Sequence, residues 1–197
     1  MEVTTKDRIL DEALKCFAEN GYNGTNLRDL AANLGLSKSA LYKHYNSKED
    51  IWNAMIDRIR NYYNANFDHH PQIPETCGEL LELTMQLVGF TIHDPRIILT
   101  RRLLMTEQFR GGQASELASE YFLNGTKRMF SEIFGNMIEN GLLKRDDPEL
   151  LALAYTAPIT VLIHQCDRER EREPEITEQI GAFARHFIET YRADCEK

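Results

Sequence analysis

The sequence has little of what cross-links or interrupts a chain. Its four cysteines, Cys16, Cys77, Cys166 and Cys195, stand far apart among 197 residues with no Cys-x-x-Cys pair. Neither a disulfide framework nor a zinc spacing can be read from them, and reduced thiols in a cytoplasmic protein are the plain expectation. Glycine (11) and proline (6) are sparse, and disorder is excluded as the general state because 42% of the residues are hydrophobic. No run of about 18 apolar residues exists, so no membrane span is expected, and Met1 to Arg8 hold no apolar signal-peptide segment. Alternating strand patterns are nearly missing. Positive charge is short too: 23 Lys and Arg against 31 Asp and Glu give a net −8, which taken whole argues against a nucleic-acid partner.

What is present is helical periodicity with helix punctuation from end to end. The chain reads as all-α, about nine helices and no sheet. Ile9, Leu10, Ala13, Leu14 and Phe17 make one apolar face of a first helix, about 4–19, and Gly21 is placed for a left-handed cap. Asn26 caps a short second helix with Leu27, Leu30, Ala31 and Leu34 inward. Gly35 stops it, Ser37 caps a third helix to about His44, and Ser47 with Asp50 caps a fourth to about Phe67. Pro71 and Pro74 mark 68–74 as a linker. Further helices are expected at about 75–92, with Leu80, Leu83, Leu87 and Phe90 on one face, and from Asp94-Pro95 to Phe109. Others run from about 114 to Gly141, from Asp147-Pro148 to Cys166, and over about 175–193. The charged run 167–173 reads as a solvated loop or frayed end. Three parts follow: 1–47, a connecting helix 48–67, and 68–197.

Two short helices joined at Gly35-Leu36 and braced by a preceding helix have the form of a helix-turn-helix. With Leu41 and Tyr45 inward, Lys38, Ser39, Tyr42 and Lys43 point outward. That set supplies cations for phosphates, hydroxyls for phosphates or base edges, and a ring for a thymine methyl. Residues 30–48 carry Lys38, Lys43 and Lys48 and no acid, and three helix N-termini near 27, 38 and 48 add anion-favouring N–H groups. Acidity sits mostly beyond residue 52, so the low overall charge does not exclude DNA.

The block RILDEALKCFAENGYNGTNLRDLAANLGLSKSALYKHYNSKEDIWNAM resembles the DNA-binding domain of the TetR family of transcriptional regulators. The likeness covers residues 6–55 and is most specific in Gly35 to Tyr42 and Tyr45 to Glu49. It implies an N-terminal three-helix DNA-binding domain and a C-terminal helical domain for ligand binding and dimerisation. Carried onto matching positions, Thr25 and Asn26 would hold phosphate and Arg28 would reach a phosphate or base edge. Ser37, Lys38, Ser39, Tyr42 and Lys43 would line the major groove, and His44 and Lys48 would grip the flanking backbone. Ser39 stands where the family often has Gly, and Asn46 where it frequently has a basic residue.

Each of these residues has a plainer reading. Lys38, Lys43 and Lys48 could be a solvated face, Tyr42 a ring folded over the domain, His44 structural, and Arg28 a partner of Asp29 or Glu12. His69, His70 and His93 lack metal-ligand spacing, so no metal and no cofactor are expected. No catalytic constellation is present either, so an enzyme is not expected. Phe90, Met105, Phe109, Phe122, Met129 and Phe130 read individually as core, and together as a deformable cavity for a small hydrophobic or aromatic effector. One reading domain contacts too few base pairs for useful specificity. A homodimer through helices 148–166 and 175–193 is therefore expected, with stripes Ala152, Tyr155, Ile159, Leu162 and Phe183, His186, Phe187, Thr190. The leading expectation is a ligand-responsive homodimeric repressor bound to operator DNA; the alternative is a helical small-molecule-binding protein without DNA-binding activity.

Overall fold

The computed structural model describes residues 4–67 and 73–193. Its helices are α1 (Thr5–Gly24), α2 (Leu27–Asn33), α3 (Lys38–Tyr42), α4 (Lys48–Phe67), α5 (Cys77–His93), α6 (Pro95–Glu107), α7 (Gly112–Ser119), α8 (Gly125–Glu139), α9 (Pro148–Arg168) and α10 (Glu173–Tyr191). A π-helical turn, Glu120–Asn124, follows α7 and leads into α8; counting this continuous helical stretch once, the described residues hold nine helices. Among these residues there is no strand; an isolated antiparallel bridge pairs Leu143 with Arg192. The fold is all-α.

Capping chemistry sets the boundaries. Thr4 Oγ1 accepts the Asp7 N–H and the Asp7 carboxylate accepts the Thr4 N–H, both at 3.1 Å, a reciprocal box at the start of α1. Gly21 adopts φ +68 and breaks the helical path inside α1, which a side chain would oppose. Ser47 Oγ accepts the Asp50 N–H at 3.0 Å, while Asp50 reaches back to the Asn46 N–H at 3.1 Å. Asp94 and Asp147 each cap the helix that the next residue, a proline, opens.

The described residues fall into two compact units: those within Met1–His69 together with Leu99–Ala118, and those within His70–Ile98 together with Ser119–Lys197. These units cut the chain differently from the three-part division by sequence, grouping α6 from Leu99 onward and α7 as far as Ala118 with α1 to α4. The first unit is centred on Ile9, Ala13, Phe17, Leu30, Leu41, Ile51, Trp52, Met55 and Ile56, all buried. The second is an aromatic core in which Phe130, Phe134, Phe183 and Phe187 surround the fully buried Tyr155 at ring distances of 4.8–6.0 Å. The Tyr155 hydroxyl pairs with Thr84 Oγ1 at 2.8 Å, and burial pushes its pKa up to about 12.

Three expectations need correction. α5 buries Leu80, Thr84, Val88 and Ile92 rather than a Leu80–Leu83–Leu87–Phe90 face; a helix apolar nearly all round does not reveal its inner side by pattern alone. Residues 167–173 are ordered: Arg172 pairs with Glu169 and Glu175, and Arg170 donates to the Ile92 carbonyl at 3.0 and 3.1 Å. Ala152, Tyr155 and Ile159 are core, so they do not form an outward stripe on α9. That helix is also, among the described residues, the one long and apolar enough by length and composition alone to cross a membrane, and its Leu151, Ala152, Tyr155, Ile159, Ile163 and Cys166 are built into the core.

Candidate nucleic-acid interface

The third helix is short, and its brevity displays its side chains. Leu41 is buried and anchors α3, while Lys38, Ser39, Tyr42 and Lys43 are exposed. Ser37 Oγ accepts the Ala40 N–H at 3.1 Å and lies 2.9 Å from Ser39 Oγ. The Lys38 ammonium sits 5.7 Å from the Tyr42 ring centroid, within cation–π range.

Beside this face lies a cleft of about 610 Å³ lined by Asn23, Gly24, Thr25, Asn26, Leu27, Lys38, Tyr42, Asn46, Ser47 and Lys48. Leu27, Lys38 and Lys48 are the first residues of α2, α3 and α4, so three helix beginnings border one cavity, with the partial positive charge that implies. No acid lines it. Asn26 Oδ1 accepts the Arg28 N–H at 2.9 Å.

Thr25 is buried, and its hydroxyl is held against the Gly21 and Cys16 carbonyls at 2.8 and 3.0 Å. It is a strut of the cleft wall, its one proton committed to α1. Arg28 is exposed, and the rival partner Glu12 is engaged by Lys15 at 3.3 Å and Asn33 at 2.9 Å. His44 is half-buried. Lys48 lies 4.5 Å from the Tyr22 ring centroid, and burial first, then the Arg110 charge, pulls its pKa below the ordinary lysine value.

Of the ten residues picked from sequence for DNA, five (Thr25, Asn26, Lys38, Tyr42, Lys48) line the cleft. Asn23 was missed; a neutral residue in the last turn of α1, past the Gly21 break, carries no signal by itself. The six aromatic and methionine residues chosen for an effector are not gathered in one unit. Met105 and Phe109 belong to the first, 41% and 90% exposed. Phe90, Phe122, Met129 and Phe130 belong to the second, where Phe130 is built into the core and Phe122 packs edge-on against His164 at 5.1 Å. Among the described residues no group of three His, Cys, Asp or Glu side chains is placed to hold a metal ion; His69, His70 and Cys195 lie outside them.

Residues 9–55 match the family described as bacterial regulatory proteins, tetR family. A 58-residue stretch is 40% identical to the biofilm operon icaADBC HTH-type negative transcriptional regulator IcaR of Staphylococcus epidermidis, covering 29% of this chain and 31% of the relative. The match therefore spans about a third of that protein's length. Over the whole fold, a TetR transcriptional regulator from Chloroflexus aurantiacus superposes with a TM-score of 0.72 at 17% identity, covering 96% of this chain and 97% of the other. SmeT, the repressor of the Stenotrophomonas maltophilia multidrug efflux pump SmeDEF, gives 0.68 at 19% identity, covering 98% and 92%. The exposed α3 face, the cleft bounded by three helix starts and the sequence match agree over the same stretch: residues 9–55 match the DNA-binding region of the family described as bacterial regulatory proteins, tetR family.

Proposed function

We propose that the protein is a sequence-specific DNA-binding transcriptional regulator, a homodimeric repressor released by a small hydrophobic or aromatic effector. The observation that carries this reading is the exposed, acid-free set Lys38, Ser39, Tyr42 and Lys43 beside a cleft into which Asn26 and Lys48 also face. In it, residues 1–47 form the reading head and 48–67 the connecting helix. Lys38, Lys43 and Lys48 engage phosphates; Ser39 and Tyr42 meet base edges; Arg28, Ser37 and His44 fix the flanks. The IcaR and SmeT names, which describe a negative regulator and a repressor, favour repression.

Dimerisation has its own support. Leu150, Leu153 and Val161 on α9 are 60%, 40% and 63% exposed, and Ala154 joins them on the same side. Leu153 and Ala154 lie three and four residues after Leu150, and Val161 lies seven beyond Ala154, about two further turns, so all four share one apolar side of α9. A second copy covering it would carry two reading heads to two half-sites. For the effector, Phe90, Phe122 and Met129 are the half-buried members of the expected set in the second unit, and they suit an apolar ligand. By reciprocity, such an effector and DNA must weaken each other's binding by one factor.

Selection of bound duplexes from a randomised DNA pool tests the first reading. Recovery of a two-half-site sequence, bound with strong salt dependence, is expected; recovery of unrelated sequences with no enrichment refutes it in favour of a helical small-molecule-binding protein. Light scattering tests the second. Val161→Glu, at a site already exposed, should give a folded monomer where the wild type is a dimer; a wild-type monomer at micromolar concentration refutes dimerisation.

A further inference from the structure

The turn that closes α6 carries an arginine bound into the first unit far from its own stretch of sequence. Arg110 ends the 3-10 turn Gln108–Arg110. Its guanidinium carbon lies 3.4 Å from the Tyr22 ring centroid and 4.8 Å from that of Trp52, and its Nη2 donates to Glu49 Oε2 at 3.1 Å. The Tyr22 hydroxyl donates to the same oxygen at 2.5 Å. One turn earlier, Glu107 Oε1 accepts the Tyr22 N–H at 2.9 Å.

Gly21 fits this contact in two ways. It adopts φ +68, and a Cβ there would stand 2.9 Å from Glu107 Oε1. The backbone turn strains any side chain there, and a Cβ would also push the Glu107 carboxylate away from the Tyr22 N–H. The segment following α6 is thus fitted to the end of α1 and the start of α4 by a hydrogen bond, an ion pair, stacked rings and a missing side chain.

What it is fitted to is one wall of the cleft. Tyr22 precedes Asn23 and Gly24, which line the cavity, and Glu49 follows Lys48, which also lines it. The Lys48 ammonium lies over the ring that Arg110 covers, at 4.5 Å from its centroid. Two cations on one ring repel, so the better-anchored Arg110, held by Glu49 and two aromatic rings, leaves Lys48 the cleft side.

We propose that Arg110 is a positioning residue for DNA binding, acting through Tyr22 and Glu49 to hold Lys48 and the 23–26 turn toward one phosphate-bearing strand. This rests on the DNA-binding reading above. It extends the reading head beyond its helix-turn-helix to a residue 61 positions from Glu49 in sequence.

Coupling to Lys48 separates positioning from general bracing. With the duplex recovered by selection, Arg110→Met is expected to bind about tenfold more weakly and to lose about one unit of salt slope. Arg110→Lys, which restores the charge, should recover much of the loss. In a cycle with Lys48→Ala, the loss in the double variant should be clearly smaller than the sum of the two single losses. Trp52 is the only tryptophan of the chain, so its emission reports directly on the stack, and circular dichroism reports on helix content. If Arg110→Met shifts the Trp52 emission yet binds at wild-type strength, or if its loss adds in full to that of Lys48→Ala, the assignment falls. Should Arg110→Met not fold, Tyr22→Phe keeps the ring and removes only the hydroxyl; the same cycle with Lys48→Ala then decides, with sub-additive loss expected and additive loss refuting. A wild type that binds no selected duplex overturns the DNA-binding reading itself, and this proposal with it; wild-type binding with an unaffected Arg110→Met overturns the proposal alone.

Discussion

The two units use aromatic side chains in opposite ways. In the second, Phe130, Phe134, Tyr155, Phe183 and Phe187 are spent on one another around a buried centre. In the first, Phe17, Tyr22 and Trp52 pack against each other at 5.1–5.7 Å, and two of them also meet a cation from elsewhere in the chain. Tyr42 stays at the surface. An aromatic residue in the second unit therefore stabilises, whereas one in the first can both stabilise and present a polar group. The first unit can present a surface ring such as Tyr42 because two of its helices, α2 and α3, are short, although α1 and α4 have twenty residues each. α2 and α3, with seven and five residues, have inner faces of only one to three side chains, which leaves the remaining positions to solvent.

Removing Tyr155 should break the second unit hardest. Tyr155→Ala deletes a fully buried ring with four aromatic neighbours and leaves Thr84 without its hydroxyl partner, at a cost of roughly 3–5 kcal/mol. Urea unfolding followed by circular dichroism should show this as a lowered midpoint. A loss below about 1 kcal/mol would mean that the core around Tyr155 closes over the gap.

The mirror experiment belongs to the first unit. Tyr42→Ala and Lys43→Ala truncate exposed side chains, so unfolding should be nearly unchanged while specific DNA binding weakens by about 1–3 kcal/mol, roughly ten- to a hundredfold. Anisotropy titration of the selected duplex measures the loss. A Lys43→Ala protein that melts several degrees lower but binds normally would reverse the assignment of faces.

This asymmetry explains what the sequence disclosed. The caps at Asn26, Ser37, Ser47, Asp94 and Asp147 and the outward set on α3 are local matters of spacing within one or two turns, and they stand where periodicity placed them. The core face of α5, the outward stripe of α9 and the scattering of the six expected effector residues are decided by which helix packs on which. Leu83 and Leu87 are as apolar as Leu80, and only the neighbours distinguish them. Arg110 was illegible for the same reason: nothing near Gln108 or Gly111 indicates a partner at Glu49.

Asp147→Ala offers a smaller and more selective contrast. Its carboxylate accepts the Glu149 and Leu150 N–H groups at 2.8 and 3.4 Å, so its loss should lower stability by about 1 kcal/mol. DNA binding by the reading head should not change. Any matching fall in affinity would show that the start of α9 influences the first unit.

The least expected effect is a pH dependence of the first unit. The Tyr22 hydrogen bond is the largest cause that holds the Glu49 carboxyl below its ordinary value of 4.5; burial opposes it, and the hydrogen bond and charge of Arg110 add to the lowering. A carboxylate with a depressed folded pKa stabilises the fold at pH above its unfolded pKa, and that contribution disappears as pH falls through the folded value. Glu49 is 52% exposed in its side chain, so solvent screens the pair and the gain is modest. Wild type and Glu49→Gln should therefore differ most in melting midpoint near about pH 7 and converge below about pH 3. The charge of Arg110 does not change over that range, so convergence assigns the difference to the carboxylate. A gap that stays constant down to the lowest pH would instead assign it to the shape of the glutamine amide, and the electrostatic part of the Tyr22–Glu49–Arg110 contact would be negligible.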